Sequence, residues 1–157
     1  MRGNARESLF SWRLLKHLTT RAPGEWISAL GISDEIISAA RQLAAELNCI
    51  VAISGAEDII TNGKKTFQVK NGQPLMTKVT GIGCVWSAVV GAFCAVCDYD
   101  GDLLSAIAAA FGFYGLCGDL AIKVSNKPGS FFTAFLDALY DVQERDIQEG
   151  LRVMEVE

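Results

Sequence analysis

The stretch Thr80-Gly81-Ile82-Gly83-Cys84 sets two glycines and a thiol directly before an apolar run with helical character, Val85 to Val96. The first backbone N–H groups of a helix have no intrahelical partner, and the helix dipole adds partial positive charge there. A glycine turn feeding such a helix lets the main chain close on an anion, with Gly81 and Gly83 providing the access. A turn built only for close packing has the same text, so the pattern alone leaves both readings open. A thiolate at Cys84 would be favoured by the same positive helix end and would serve as base or nucleophile. A small apolar residue facing the core is the other reading of that position.

The remaining cysteines offer less. Cys94 and Cys97 form a C-x-x-C, but no second pair follows and the only histidine, His17, is distant in sequence. Free cysteine is among the most buried residue types, so a buried helix face is expected rather than a metal site. Five cysteines is an odd number, most lie in hydrophobic segments, and the first residues carry no apolar run of the signal-peptide kind. Reduced thiols in a cytoplasmic protein are the expectation.

These groups need a scaffold, and 157 residues with half of them hydrophobic suffice for one buried core. A net charge of -4 with dispersed Lys and Arg excludes a polyanion-binding surface. The longest apolar runs, around 85–97 and 103–117, fall short of the roughly 20 residues a membrane span requires and are separated by the acidic Asp98-Tyr99-Asp100-Gly101-Asp102.

Along the chain, residues 12–33 read as a short helix and loop, with Pro23, Gly24 and Gly31 as breakers. Ser33 is placed to cap a helix over 34–47, with Asp34 and Glu35 in its first turn and Ile36, Ile37, Ala40, Leu43, Ala44 and Leu47 at helical spacing. Residues 49–55, Cys-Ile-Val-Ala-Ile-Ser-Gly, are nearly continuously apolar, as in a strand buried on both faces of a parallel sheet. Asn62-Gly63 joins two β-like runs into a hairpin expected to extend the sheet edge, and Asn71-Gly72 closes it. Helices are predicted near 84–97, 102–124 and 131–146, the last burying Phe132, Phe135, Leu136, Leu139 and Val142. The loop 126–130 contains the breakers Pro128 and Gly129. The chain is α/β, with no internal repeat and no linker.

Four stretches together carry a resemblance. Pro74-Leu-Met-Thr-Lys-Val-Thr-Gly-Ile-Gly-Cys84 resembles the P-L-M-T-K-V-x-G-T-G-C signature of the hydroxyethylthiazole kinases, members of the ribokinase-like superfamily. Arg2-Gly-Asn-Ala-Arg-Glu7 is similar to that family's R-G-N-x-x-E. Residues 51–63 are similar to its V-x-V-T-G-x-x-D-x-x-T-D-G, and residues 127–139 to its G-P-G-S-F-x-x-x-F-L-D-A-L. The four occur in the family's order and span nearly the whole chain.

The resemblance implies a ribokinase-like three-layer sandwich with a mostly parallel sheet. It also implies ATP- and Mg²⁺-dependent phosphorylation of the primary alcohol of 4-methyl-5-(2-hydroxyethyl)thiazole in thiamine salvage. Cys84 would be the catalytic base. Gly81 would contact the substrate, and Gly81, Gly83 and the Cys84 amide would form the anion hole. Arg2 and Ser54, the latter in place of the usual Thr, would bind ATP, while Asn4 and Glu7 would hold Mg²⁺. The family's R-G-N-x-x-E lies mid-chain, so residues 1–157 are expected to be the C-terminal, nucleotide-binding portion of a single such domain, with its N-terminal part missing. A homo-oligomer is also implied, since the family is typically trimeric.

The pattern breaks at Ile82, where the family has Thr. Isoleucine offers no hydroxyl and, being β-branched, resists positive φ, so a turn needing that geometry at position 82 would be strained. Two other functions stay open: a non-catalytic nucleotide-binding or interaction module, and a transferase using Cys84 as a covalent nucleophile.

Overall fold

The computed structural model describes residues 34–97 and 102–156. The first element is helix α1, Asp34–Leu47, with Asp34 and Glu35 in its first turn as anticipated. Ser33, the anticipated cap, lies outside the described residues, as do residues 12–32. The helix stops at Asn48, which takes a left-handed conformation with φ of 48°. Asparagine is among the few residues that tolerate this. The Cys49 N–H then closes on the Ala44 carbonyl at 3.1 Å.

Three short strands follow, β1 (Val51–Ile53), β2 (Asp58–Thr61) and β3 (Thr66–Val69), and a fourth, β4 (Val153–Val156), closes the chain. The sheet order is β1-β2-β3-β4, and all three pairings are antiparallel. The expected mostly parallel sheet is therefore not what the described residues form. The reason is connection length: residues 54–57 and 62–65 are four-residue links, and a parallel neighbour would require a crossover of about a dozen residues or more. The Asn62-Gly63 hairpin is present as read, with the Asn62 side-chain oxygen accepting from the Lys64 and Lys65 N–H groups. It does not form the edge, because β4 covers β3. Among the described residues the outer strands are β1 and β4.

Successive residues of a strand face opposite sides of a sheet, and in β2 both sides are buried. Ile59 packs with Ala40, Ala44 and Val51 on the α1 side. Ile60 faces the other way, joining Val69, Val90, Leu104, Ala110 and Phe111. Helices thus cover both faces of the sheet. Arg41 of α1 clasps the hairpin and the last strand together, donating to the Thr66 hydroxyl at 2.7 Å and to the Val156 carbonyl at 2.9 Å.

The second layer of helices comprises α2 (Ile82–Val96), α3 (Leu103–Val124), α4 (Pro128–Asp141) and α5 (Glu144–Gly150). Helix α3 is long and apolar enough to cross a membrane by length and composition, yet more than half of its apolar window is buried within the protein. It is the core helix against which α2, α4 and the sheet pack. Asp102 caps it, accepting from the Leu104 N–H at 3.1 Å.

Helix α4 begins at Pro128 rather than after the breaker, because proline at the first helical position loses no hydrogen bond. Its buried residues are Phe131, Ala134 and Phe135, so the predicted face is rotated: Leu136 is exposed. The helix predicted over 131–146 is divided at Val142-Gln143, where the chain turns and α5 starts with the Gln143 N–H on the Asp146 carboxylate at 3.0 Å.

Glycine is required on α3 where another backbone meets it. A Cβ on Gly115 would lie 2.6 Å from the Asn71 carbonyl carbon and oxygen. We expect Gly115→Ala to destabilise the protein by about 1–3 kcal/mol, read as a lower urea midpoint at unchanged slope.

Candidate functional site

The segment that reaches the glycine turn is fixed before it arrives. After β3 the chain passes Asn71-Gly72-Gln73, and all three donate to one carboxylate on α3. Asp119 accepts from the Asn71 side-chain amide at 2.9 Å, the Gly72 N–H at 3.2 Å and the Gln73 side-chain amide at 2.7 Å. A short 3-10 helix, Pro74–Lys78, then leads to the turn.

Gly81 is the residue just before α2 and has φ of 99°. It alone in this turn takes the left-handed conformation. Ile82 does not, since the one non-glycine residue with positive φ among those described is Asn48. The strain anticipated at Ile82 is therefore absent. Its side chain is 5 % exposed and packs with Tyr114, Cys117 and Phe131. Its carbonyl accepts the Tyr114 hydroxyl. Ile82 holds the turn to the core and sends no side chain toward the open side.

The first-turn amides have no side-chain cap. The Cys84 and Val85 N–H groups both point back to the Gly81 carbonyl, at 3.0 and 3.1 Å. Among the described residues, the Ile82 and Gly83 N–H groups have no protein acceptor. The Cys84 amide anticipated for the anion hole is thus already engaged, and the two unsatisfied donors lie one and two residues earlier. Nothing stands within 4 Å of where a Cβ would sit on Gly81 or Gly83. Cys84 is exposed, which removes the reading of that residue as core filler. Gly81, Gly83 and Cys84 are therefore assembled on one open helix end.

Ser54 is exposed in the loop after β1, and no hydrogen bond joins it to the glycine turn among the described residues. Its loop is closed by the Gly55 N–H donating to Asp58 at 3.0 Å. Glu57 beside it accepts from the Gln68 side chain at 2.5 Å. Arg2, Asn4 and Glu7 lie outside the described residues, as does His17. Cys94 and Cys97 are both partly buried. Burial, with Cys97 adding to it, pushes the Cys94 thiol up. Among the described residues no cluster of three or more His, Cys, Asp or Glu is placed to hold a metal.

Sequence reasoning missed Asp119, Asp58 and Tyr114. A carboxylate or a phenol within apolar surroundings signals a buried partner, but the partners of Asp119 and Tyr114 lie tens of residues away and are not legible from spacing. Asp58 is partnered locally by the Gly55 N–H, and it was its burial that escaped.

A family model described as the hydroxyethylthiazole kinase family matches residues 2–145. The chain belongs to that family. Hydroxyethylthiazole kinases from Desulfosudis oleivorans and Desulfotalea psychrophila are similar to it, at 43% identity over 99% of this chain and 48% over 72%. These matches cover 54% and 40% of the relatives themselves, so the chain spans about half the length of the curated kinases it matches. The structure of a hydroxyethylthiazole kinase protein from Pyrococcus horikoshii OT3 superposes with a TM-score of 0.72 at 36% identity, covering 79% of this chain and 48% of that one. Family membership and the shared α/β fold both rest on these matches.

Two predictions follow from the site's geometry. Nothing in the fold demands glycine at position 83, where φ is not positive and the space is open. Gly83→Ala is expected to leave stability unchanged or raise it by up to about 1 kcal/mol, while weakening inorganic phosphate binding in a titration. Burial raises Asp58 to about 7 against its ordinary 3.8. The unfolded chain then releases this proton first, so Asp58 lowers stability as pH rises from about 4 to about 7. Urea midpoints between pH 4 and 8 should show that decline in the parent and a flatter profile in Asp58→Asn.

Proposed function

We propose that this chain carries the phosphoryl-transfer half of an ATP- and Mg²⁺-dependent kinase. The acceptor is the primary alcohol of 4-methyl-5-(2-hydroxyethyl)thiazole, in thiamine salvage. The single observation that carries this reading is the open turn at Gly81: two peptide N–H groups without acceptors among the described residues, beside an exposed thiol, at the positive end of a helix.

In this reading Cys84, as thiolate, takes the proton of the substrate hydroxyl. The freed alkoxide oxygen forms a bond to the γ-phosphorus as the bond from that phosphorus to the β,γ-bridging oxygen breaks, and ADP leaves. Charge on the migrating phosphoryl oxygens is met by the amides of the Gly81–Cys84 turn, those of Ile82 and Gly83 being the available donors. This is the electrostatic stabilisation that such loose transition states need. Gly81 contacts the alcohol, and Arg2 and Ser54 hold ATP.

Mg²⁺ selects oxygen donors and keeps much of its water. A Glu7 carboxylate and an Asn4 amide oxygen, together with the phosphate oxygens, suit it; when bound it neutralises phosphate charge. The described residues provide no competing metal cluster.

The proposed architecture is the ribokinase-like three-layer sandwich with a mostly parallel sheet, of which the four described strands form an antiparallel part. The protein is proposed to be cytoplasmic and to act as a homo-oligomer with sites near subunit boundaries. A second reading is a nucleotide-binding module without turnover.

ADP release measured with thiazole alcohol and Mg²⁺ separates the two. Turnover requiring both supports the kinase; ATP binding without turnover supports the module. Where there is turnover, Cys84→Asp should stay within about tenfold of the parent. Cys84→Ala should lose between about 100-fold and 10,000-fold, the range for one general base. An inactive Asp variant would point instead to a covalent nucleophile.

A further inference from the structure

The peptide unit between Ile82 and Gly83 has two polar ends. Its N–H, on Gly83, is one of the two open donors of the turn. Its C=O, on Ile82, accepts the Tyr114 hydroxyl from α3. Resting on the reading of the turn as an anion hole, we propose that Tyr114 is a positioning residue for phosphoryl transfer: its hydroxyl fixes and polarises the Ile82–Gly83 peptide, so that the Gly83 N–H is held toward the phosphoryl group.

The peptide group is planar and conjugated, so a proton donated to its oxygen draws electron density away from its nitrogen. Hydrogen bonds linked through such a unit strengthen one another, and more so away from water. The carbonyl has two lone pairs, so the phenol binds without displacing the intrahelical bond.

Tyr114 is suited to this task. It is 4 % exposed, with its ring edge-on to Phe135 at a centroid distance of 4.8 Å, which prevents it from swinging away. Burial, with Cys117 and Cys84 adding to it, pushes the phenol well above its usual range, so it remains a neutral donor at physiological pH. The Ile82 side chain is held in the same cluster. The peptide is therefore gripped both through that side chain and through its carbonyl. Packing alone would be met equally well by phenylalanine, since among the described residues the hydroxyl reaches only this carbonyl.

The test uses the 157-residue chain labelled with ¹⁵N-glycine, the Gly83 amide signal being identified by its loss in Gly83→Ala. Inorganic phosphate is titrated into the parent and into Tyr114→Phe. The parent's Gly83 amide should move with phosphate. In Tyr114→Phe its resonance should start at a less polarised position, and the affinity should fall about fivefold, the factor one neutral hydrogen bond is worth. Equal starting shifts and equal affinities in the two proteins would overturn the role of Tyr114 while leaving the anion hole standing. A parent Gly83 amide indifferent to phosphate would overturn both. Should Tyr114→Phe fail to fold, 3-fluorotyrosine incorporated into a Tyr99→Phe, Tyr140→Phe background tests the opposite direction. The more acidic phenol is a stronger donor, so phosphate should bind more tightly; unchanged or weaker binding would overturn the proposal.

Discussion

One carboxylate organises the approach to the site. Asp119 sits on the central helix and receives donors from three consecutive residues, Asn71, Gly72 and Gln73, and from the Arg152 guanidinium at 2.8 Å. Asn71 extends the network, donating to the Gly150 carbonyl at 2.8 Å and accepting from the Arg152 N–H at 2.6 Å. The exit of β3, the entry of β4 and the body of α3 are thereby joined at one point. A largely buried anion is costly unless each oxygen is satisfied, and here both are. The segment from Gln73 to Gly81 starts from that fixed point, and with it the orientation of the turn.

Much of the fold was legible. Helix α1 was readable end to end from its periodicity, and the Asn62-Gly63 hairpin from its turn chemistry, because both depend on neighbours in sequence. What escaped depends on distant partners. Strand β4 is four residues of mixed polarity, and it is a strand because β3, more than eighty residues earlier, offers an open edge. On α4 the burial of Phe135 was readable from the helix's own pattern, but Phe131 was missed and Leu136 wrongly placed inside, since Phe131 is selected by Tyr114 and Ile82 across the interface. The parallel sheet was inferred from a run of apolar residues, whereas β1 pairs with β2 across a link too short for anything but an antiparallel return.

The site was legible to a similar depth. Glycine and cysteine types identified the turn and its open thiol. They did not reveal which amides were free, because that follows from the Gly81 carbonyl capturing the Cys84 and Val85 N–H groups. Nor did they show that the departure at Ile82 is harmless to the backbone: the positive φ falls on Gly81, and the isoleucine side chain is turned inward.

That division within Ile82 has a consequence for how such a turn can diverge. Its side chain answers to the shape of the hydrocarbon interior, while its main chain supplies the polarity of the surface. The two can therefore be selected separately: the hydroxyl of one lineage can give way to a branched alkane in another as the interior repacks, and the amide array outside is untouched. Chemistry lodged in the polypeptide's repeating unit is sheltered from most single-residue replacement.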